Sequence, residues 1–206
     1  MDDKQEKLIV EVNFPKARKW ADIVSLTLDI DSAIQICERL IRELEINKND
    51  RVIIESLWTT ALIKYARCFS SGKRFGLTIE LFNGLKGDPV GTHNYYIEMR
   101  NKHLAHSVNP FEQVKIALIL ADPKSERKIN GTVSFSQWHI SAKRDGVETL
   151  KNLCLVLRQK LSEKGRNLHQ KVLEEAAKIN IDELYSKAEL KTVVPGPKDT
   201  SKPRKN

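Results

Sequence analysis

The stretch "VETLKNLCLVLRQKLSEKGRNLHQKVLEEAAKI", residues 147–179, decides the fold. Leu150, Leu153, Leu157, Leu161, Leu168, Val172 and Ile179 keep to one stripe at helical spacing. A strand alternates every two residues, so only a helix brings these side chains onto one face. The stretch predicts an amphipathic helix of some thirty residues, roughly 45 Å long at 1.5 Å per residue. Gly165 is its one candidate interruption. A helix with such a stripe must bury it against other helices.

Working outward, "EQVKIALILAD" (112–122) and "GTVSFSQWHIS" (131–141) are rich in β-branched and large apolar residues, with the polar "PKSERKING" between them. They predict a β-hairpin inserted over about 111–141. Its inward set shifts from Val133 and Phe135 to Trp138 and Ile140, which asks for a bulge there. Earlier, Ile34, Cys37, Ile41 and Leu44 mark a helix over about 23–46. Its first turns are ambiguous, because Val24, Leu26, Leu28 and Ile30 also alternate. A second helix is expected over 51–70, a short helical piece in "LTIELFNGL", and a third helix over 90–108 that Pro110 stops. "LIVEVNF" (8–14) alternates at two and reads as an N-terminal strand. The fold class is mainly α: an up-and-down bundle of four to five helices carrying a hairpin, with that strand as a candidate addition.

The bulk properties fit one domain, 1–190, followed by a basic, Pro- and Lys-rich tail, 191–206, expected to be disordered. The net charge is +8, but the tail holds five Lys/Arg against one Asp, half of the excess. Charge therefore permits an anionic partner without demanding one. No apolar run reaches the length of a membrane span, and "MDDKQEK" is unlike a signal peptide. Cys37, Cys68 and Cys154 sit within apolar patterns and read as buried thiols, pointing to a cytoplasmic protein without a membrane partner.

Phosphate-loop and dinucleotide fingerprints are absent, as is H-E-x-x-H. "SSGKRFG" (70–76) could hold a phosphate with Lys73 and Arg74, but a solvated turn is the favoured reading. His103 and His106 have no carboxylate on their helix face to complete a metal site, so neither metal nor cofactor is expected.

"RNKHLAH" (100–106) remains. On a regular helix with Arg100 at 0°, Ile97, Leu104 and Val108 put the apolar face near 60°. Asn101 then falls inside that face and needs a hydrogen bond. His106 joins Tyr95 and Met99 on a second, semi-apolar face suited to a homodimer contact. The last turn of a helix favours an imidazolium, which raises a histidine's affinity for its proton. The spacing alone is weak, since about one such Arg–His match arises by chance. The plain alternative is a helix end whose Arg100 and His106 cap and pair with acids.

"MRNKHLAHS" resembles the R-x(4–6)-H signature of the HEPN superfamily, helical-bundle proteins of which many are ribonucleases. Asn101 matches the polar residue that often follows the Arg. "YARCF" and the hairpin insertion are similar to abortive-infection-type members. Val108 stands where the nucleotide-modified toxin branch has a Tyr, so that branch's regulation is not implied. The resemblance implies a metal-independent endoribonuclease with a composite site at a homodimer interface. Arg100 and His106 would be catalytic, Asn101 supporting, and Lys102 and His103 candidates for touching RNA. Partners implied are RNA, a second copy and an antitoxin or inhibitor protein, in a toxin or phage-defence role. The alternative within the same resemblance is a non-catalytic module that binds RNA, a nucleotide or a protein.

Overall fold

The structure is a computed structural model that describes residues 8–46, 50–70, 72–104, 112–138, 142–188 and 196–200. Helices α1 (Pro15–Ile46), α2 (Arg51–Ala66), α3 (Pro89–Glu98) and α4 (Arg144–Ala176) form the body, and a short α5 (Ile181–Ser186) follows. The expected tail falls mostly outside the described residues; within it, a single turn of 3-10 helix spans Pro197–Asp199.

The predicted long helix is α4, and it runs unbroken through Gly165 for about 50 Å. It lies antiparallel to α1, and the cross-helix pairs step along both chains together. Arg144 meets Glu45, Arg158 Nε meets Asp31 Oδ1 at 2.6 Å, and the rings of His169 and Trp20 lie 4.8 Å apart. Lys16 and Glu175 close the far end at 2.9 Å. Gly165 sits where the helices come close: a Cβ there would stand 3.3 Å from Ile23 Cγ2. The core side of α4 is Val147, Leu150, Leu153, Cys154, Leu157 and Leu161, with Val172 beyond.

Helix α1 begins eight residues earlier than its periodicity suggested, with Pro15 at the first position, where a missing N–H costs nothing. Its ambiguous turns resolve as helix: Leu26 and Ile30, four apart, are buried, while Val24 and Leu28 face solvent. Helix α2 is capped by Asp50, whose carboxylate accepts from the Ile53 amide, and it ends at Ala66, short of the expected Ser70. In "LTIELFNGL" only Ile79–Phe82 is helical, as 3-10 helix. Helix α3 opens on Pro89 with Asp88 accepting from the Gly91 amide at 2.8 Å. Tyr96 of α3 donates to the Gly146 carbonyl at 2.7 Å, tying α3 to the start of α4.

The hairpin forms as expected from β1 (Glu112–Leu120) and β2 (Ile129–Trp138), antiparallel. Two details differ. The register runs unshifted from Trp138 through Phe135 to Gly131, and the irregularity lies instead at Ile119/Leu120, beside the turn. Nor does Phe135 point into a core: it is 56% exposed, and Val114, Ile116, Leu118 and Leu120 are also exposed. Among the described residues the hairpin packs little against the helices, so its apolar alternation reports pairing more than burial. The side chains of Trp138 and Ile140 lie outside the description.

The N-terminal strand is not found. Residues 8–13 have no regular structure, although Val10, Val12 and Phe14 are half-buried and their neighbours exposed. A strand needs a partner for its backbone groups, and the only sheet among the described residues is the two-stranded hairpin.

Candidate functional site

The helix carrying "RNKHLAH" does not stay regular. After Glu98 the α-helix gives way to a π-helical segment, Met99–Leu104, that packs against α2. Such segments are rare and frequently mark functional sites. Met99 is buried, Arg100 half-buried, and Asn101 and Lys102 exposed. Arg100 Nη1 donates to Asn101 Oδ1 at 3.0 Å. Asn101 thus has the hydrogen bond expected of it, but at the surface and not within an apolar face. Lys102 lies 3.3 Å from Glu98 Oε1, an exposed pair of the kind that contributes little to stability. His103 belongs to the π segment by its backbone, and its side chain lies outside the description. His106 lies outside the described residues altogether, so the separation of Arg100 and His106 does not enter the geometry.

Of the expected apolar face of this helix, Ile97 packs partly buried against the core, while the Leu104 side chain and Val108 lie outside the described residues. Its fully buried residues are His93, Tyr96 and Met99, which on a regular helix widen the core side beyond Ile97 towards Met99. Met99 therefore leaves the semi-apolar second face, where Tyr95, 55% exposed, remains. The reason is chemical: two of the three core residues carry polar tips, which a hydrophobic pattern discounts, yet both tips are satisfied. Tyr96 bonds Gly146, and His93 Nδ1 lies 2.8 Å from the Tyr65 hydroxyl within a cage of Phe69 and Phe82. Burial lowers the pKa of His93 and raises that of Tyr65, so the pair is neutral at pH 7. Beside it, Trp58 of α2 is buried edge-on to Tyr96, and its Nε1–H has no acceptor among the described residues.

The three cysteines are buried and free. Burial pushes the Cys37 and Cys68 thiols up to about 12 and Cys154 well above its ordinary value, so they stay protonated and unreactive at neutral pH.

A second polar cluster was not legible in the sequence. Asp29, on α1, has only 5% of its side chain exposed. It accepts from Arg67 Nε at 2.7 Å and Arg74 Nη1 at 3.0 Å, with Lys64 Nζ at 3.4 Å. Arg74 also donates to Ser25 Oγ at 2.8 Å and to the Arg67 carbonyl at 3.3 Å. Burial pushes the Asp29 carboxyl up, but the hydrogen bonds from Arg74 and Arg67 outweigh it and hold the carboxyl below its ordinary 3.8. The "SSGKRFG" turn is therefore not simply solvated: its Arg74 is turned inward onto α1.

Two shallow grooves lie elsewhere. One of about 350 Å³ includes Thr27, Arg158, Ser162 and Arg166; another of about 320 Å³ includes Asp88, Thr92, Thr149 and Asn152. Neither is lined by Arg100. The chain matches no family model, no curated protein and no solved structure. Among the described residues no helix is long and apolar enough to cross a membrane.

Proposed function

We propose that this chain is a metal-independent endoribonuclease of the HEPN type, acting as a homodimer. The observation that carries the reading is the Arg100–Asn101 hydrogen bond on a π-helical segment at the end of α3. A regular helix separates Arg100 and His106 by about 120°, so the motif needs either a deformed helix end or a second chain, and the π segment is a deformation at that place.

In this mechanism His106 accepts the proton of an RNA 2′-hydroxyl. The freed 2′-oxygen attacks the adjacent phosphorus, and the bond from phosphorus to the 5′-oxygen breaks. The partner subunit's His or Arg assists the departing oxygen, which takes its proton from that imidazolium or from a water held by the guanidinium, itself never deprotonated. Arg100, steered by Asn101, meets the charge that builds on the phosphate oxygens. Lys102 and His103 touch neighbouring phosphates. The products are a 2′,3′-cyclic phosphate and a 5′-hydroxyl. The nucleophile comes from the substrate, so the scheme has no step for a metal. A toxin or phage-defence role, with an inhibitor protein in the cell, belongs to the same reading.

The test is incubation with single-stranded RNA in EDTA. The expected result is cleavage to cyclic-phosphate ends, reduced at least about a hundredfold in His106→Ala and in Arg100→Ala. Intact RNA under these conditions, from a folded wild-type protein, rejects the enzyme. The alternative, a non-catalytic module binding RNA, a nucleotide or a protein, has one observation in its favour: the cations around Asp29 lie away from the motif and suit an anion.

A further inference from the structure

We propose that Lys64 and Arg67, presented by α2 and braced by Asp29, form a binding site for a phosphate group. The inference is independent of the Arg100–His106 motif.

One buried carboxylate is neutralised by one cation, yet three converge on Asp29 within 3.4 Å. The C-terminal end of α2 adds roughly half a negative charge through its aligned peptide dipoles. Three positive charges thus face about one and a half negative ones. Holding α2 and the 72–76 turn against α1 explains Arg74 but not all three. Arg74 is the clamp: its side chain is only 16% exposed, and its contacts run to Asp29, Ser25 and the Arg67 carbonyl.

Arg67 is placed differently. Its Nε is spent on Asp29, while half of its side chain is exposed. Its Nη1 and Nη2 have no acceptor among the described residues. A carboxylate on one side of a guanidinium fixes the plane and leaves the two-nitrogen edge open, the edge that meets two oxygens of a phosphate at once. Lys64 lies three residues earlier on the same face of α2. Its ammonium has three donors and, among the described residues, one long contact, to Asp29 at 3.4 Å. The pair therefore offers a fork and a point charge on one surface, pre-oriented by a buried acid. Lys73 in the neighbouring turn has an interaction of its own and is not part of the site. The ligand chemistry is a phosphate monoester or diester, carried by a small phosphorylated molecule or by an RNA backbone.

The experiment uses the full chain with inorganic phosphate as the probe, followed by thermal unfolding. Sodium chloride and acetate at matched ionic strength serve as controls. The expected result is a midpoint that rises with phosphate concentration, as binding to the native state requires. Arg67→Gln and Lys64→Gln each weaken the phosphate response about fivefold or more. If Arg67→Gln fails to fold, Lys64→Gln carries the comparison, because its contact with Asp29 is the longest of the three. A short labelled RNA, read by anisotropy, separates the sources. Loss of RNA affinity in the variants, with competition by phosphate, assigns the site to a nucleic-acid backbone; unchanged RNA affinity with lost phosphate binding assigns it to a small phosphorylated ligand. A wild type that responds to phosphate no more than to chloride, or variants that respond as the wild type does, overturns the proposal. No arm reads cleavage, so this outcome is separate from that of the ribonuclease test.

Discussion

His93 is a titratable group held in an aromatic cage, and its protonation is linked to folding. Its ordinary pKa is 6.5, and burial lowers it in the native state. Between those two values the unfolded chain binds more protons than the native one, so stability falls as pH drops below 6.5. Above that pH the imidazole is neutral in both states and contributes no slope. Asp29 titrates in a separate window: its carboxyl is held below 3.8, and the stability it contributes is lost only as pH falls through that lowered value. Urea unfolding from pH 7.5 to 5 should therefore show a declining midpoint in the wild type and a flatter one in His93→Phe. The variant should also lose about 1–3 kcal/mol at pH 7.5, because the Tyr65 hydroxyl loses its partner. Equal slopes in the two proteins would remove His93 from the account. At Asp29, the change to Asn leaves three cations around a neutral amide. Its partners are partly exposed, so a loss of about 2–3 kcal/mol is expected, measured by the same unfolding at pH 7.

Among the elements, legibility followed from what each one packs against. The α4 stripe could be read because its partners are apolar and its period is sustained over many turns. Leu26 and Ile30 of α1 were ambiguous at short range and became clear only through their distant partners. The α3 face is wider than its apolar pattern, because His93 and Tyr96 bury polar tips whose hydrogen bonds come from residues 28 and 50 positions away. The Asp29 cluster joins residues 35 to 45 apart, and no local pattern announces such a convergence. The "LIVEVNF" alternation was real as half-burial, but a strand exists only where a second strand can pair. The hairpin shows the converse, since it pairs with itself and contributes little to the helical core. Replacing residues 112–138 by a short Gly/Ser linker should therefore change the stability of the helical body by no more than about 1 kcal/mol. Circular dichroism through a thermal melt checks this, and loss of a cooperative helical transition counts against it.

At the scale of the molecule, α1 and α4 form one antiparallel spine, and α2 and α3 pack on the half that holds the buried Tyr65–His93–Tyr96 group. The Arg100 segment and the Lys64–Arg67 surface lie towards opposite ends of α2, because α3 runs back along α2 from Tyr65 to Trp58. The proposed chemistry and the proposed anion site are thus separated along the bundle. A site assembled by two chains makes a prediction that a site within one chain does not. In a mixed dimer of Arg100→Ala and His106→Ala subunits, the intact Arg sits on one chain and the intact His on the other. If these act across the interface, mixing the two inactive variants, with a brief denaturation to exchange subunits, restores cleavage. The expected recovery is at most roughly a quarter of wild-type turnover, since half of the randomly paired dimers are mixed and each carries one intact Arg and one intact His. If each chain uses its own Arg and His, the mixture stays as inactive as its components. RNA cleavage in the mixture, measured against each variant alone and with size-exclusion chromatography to establish the dimer, decides between the two arrangements.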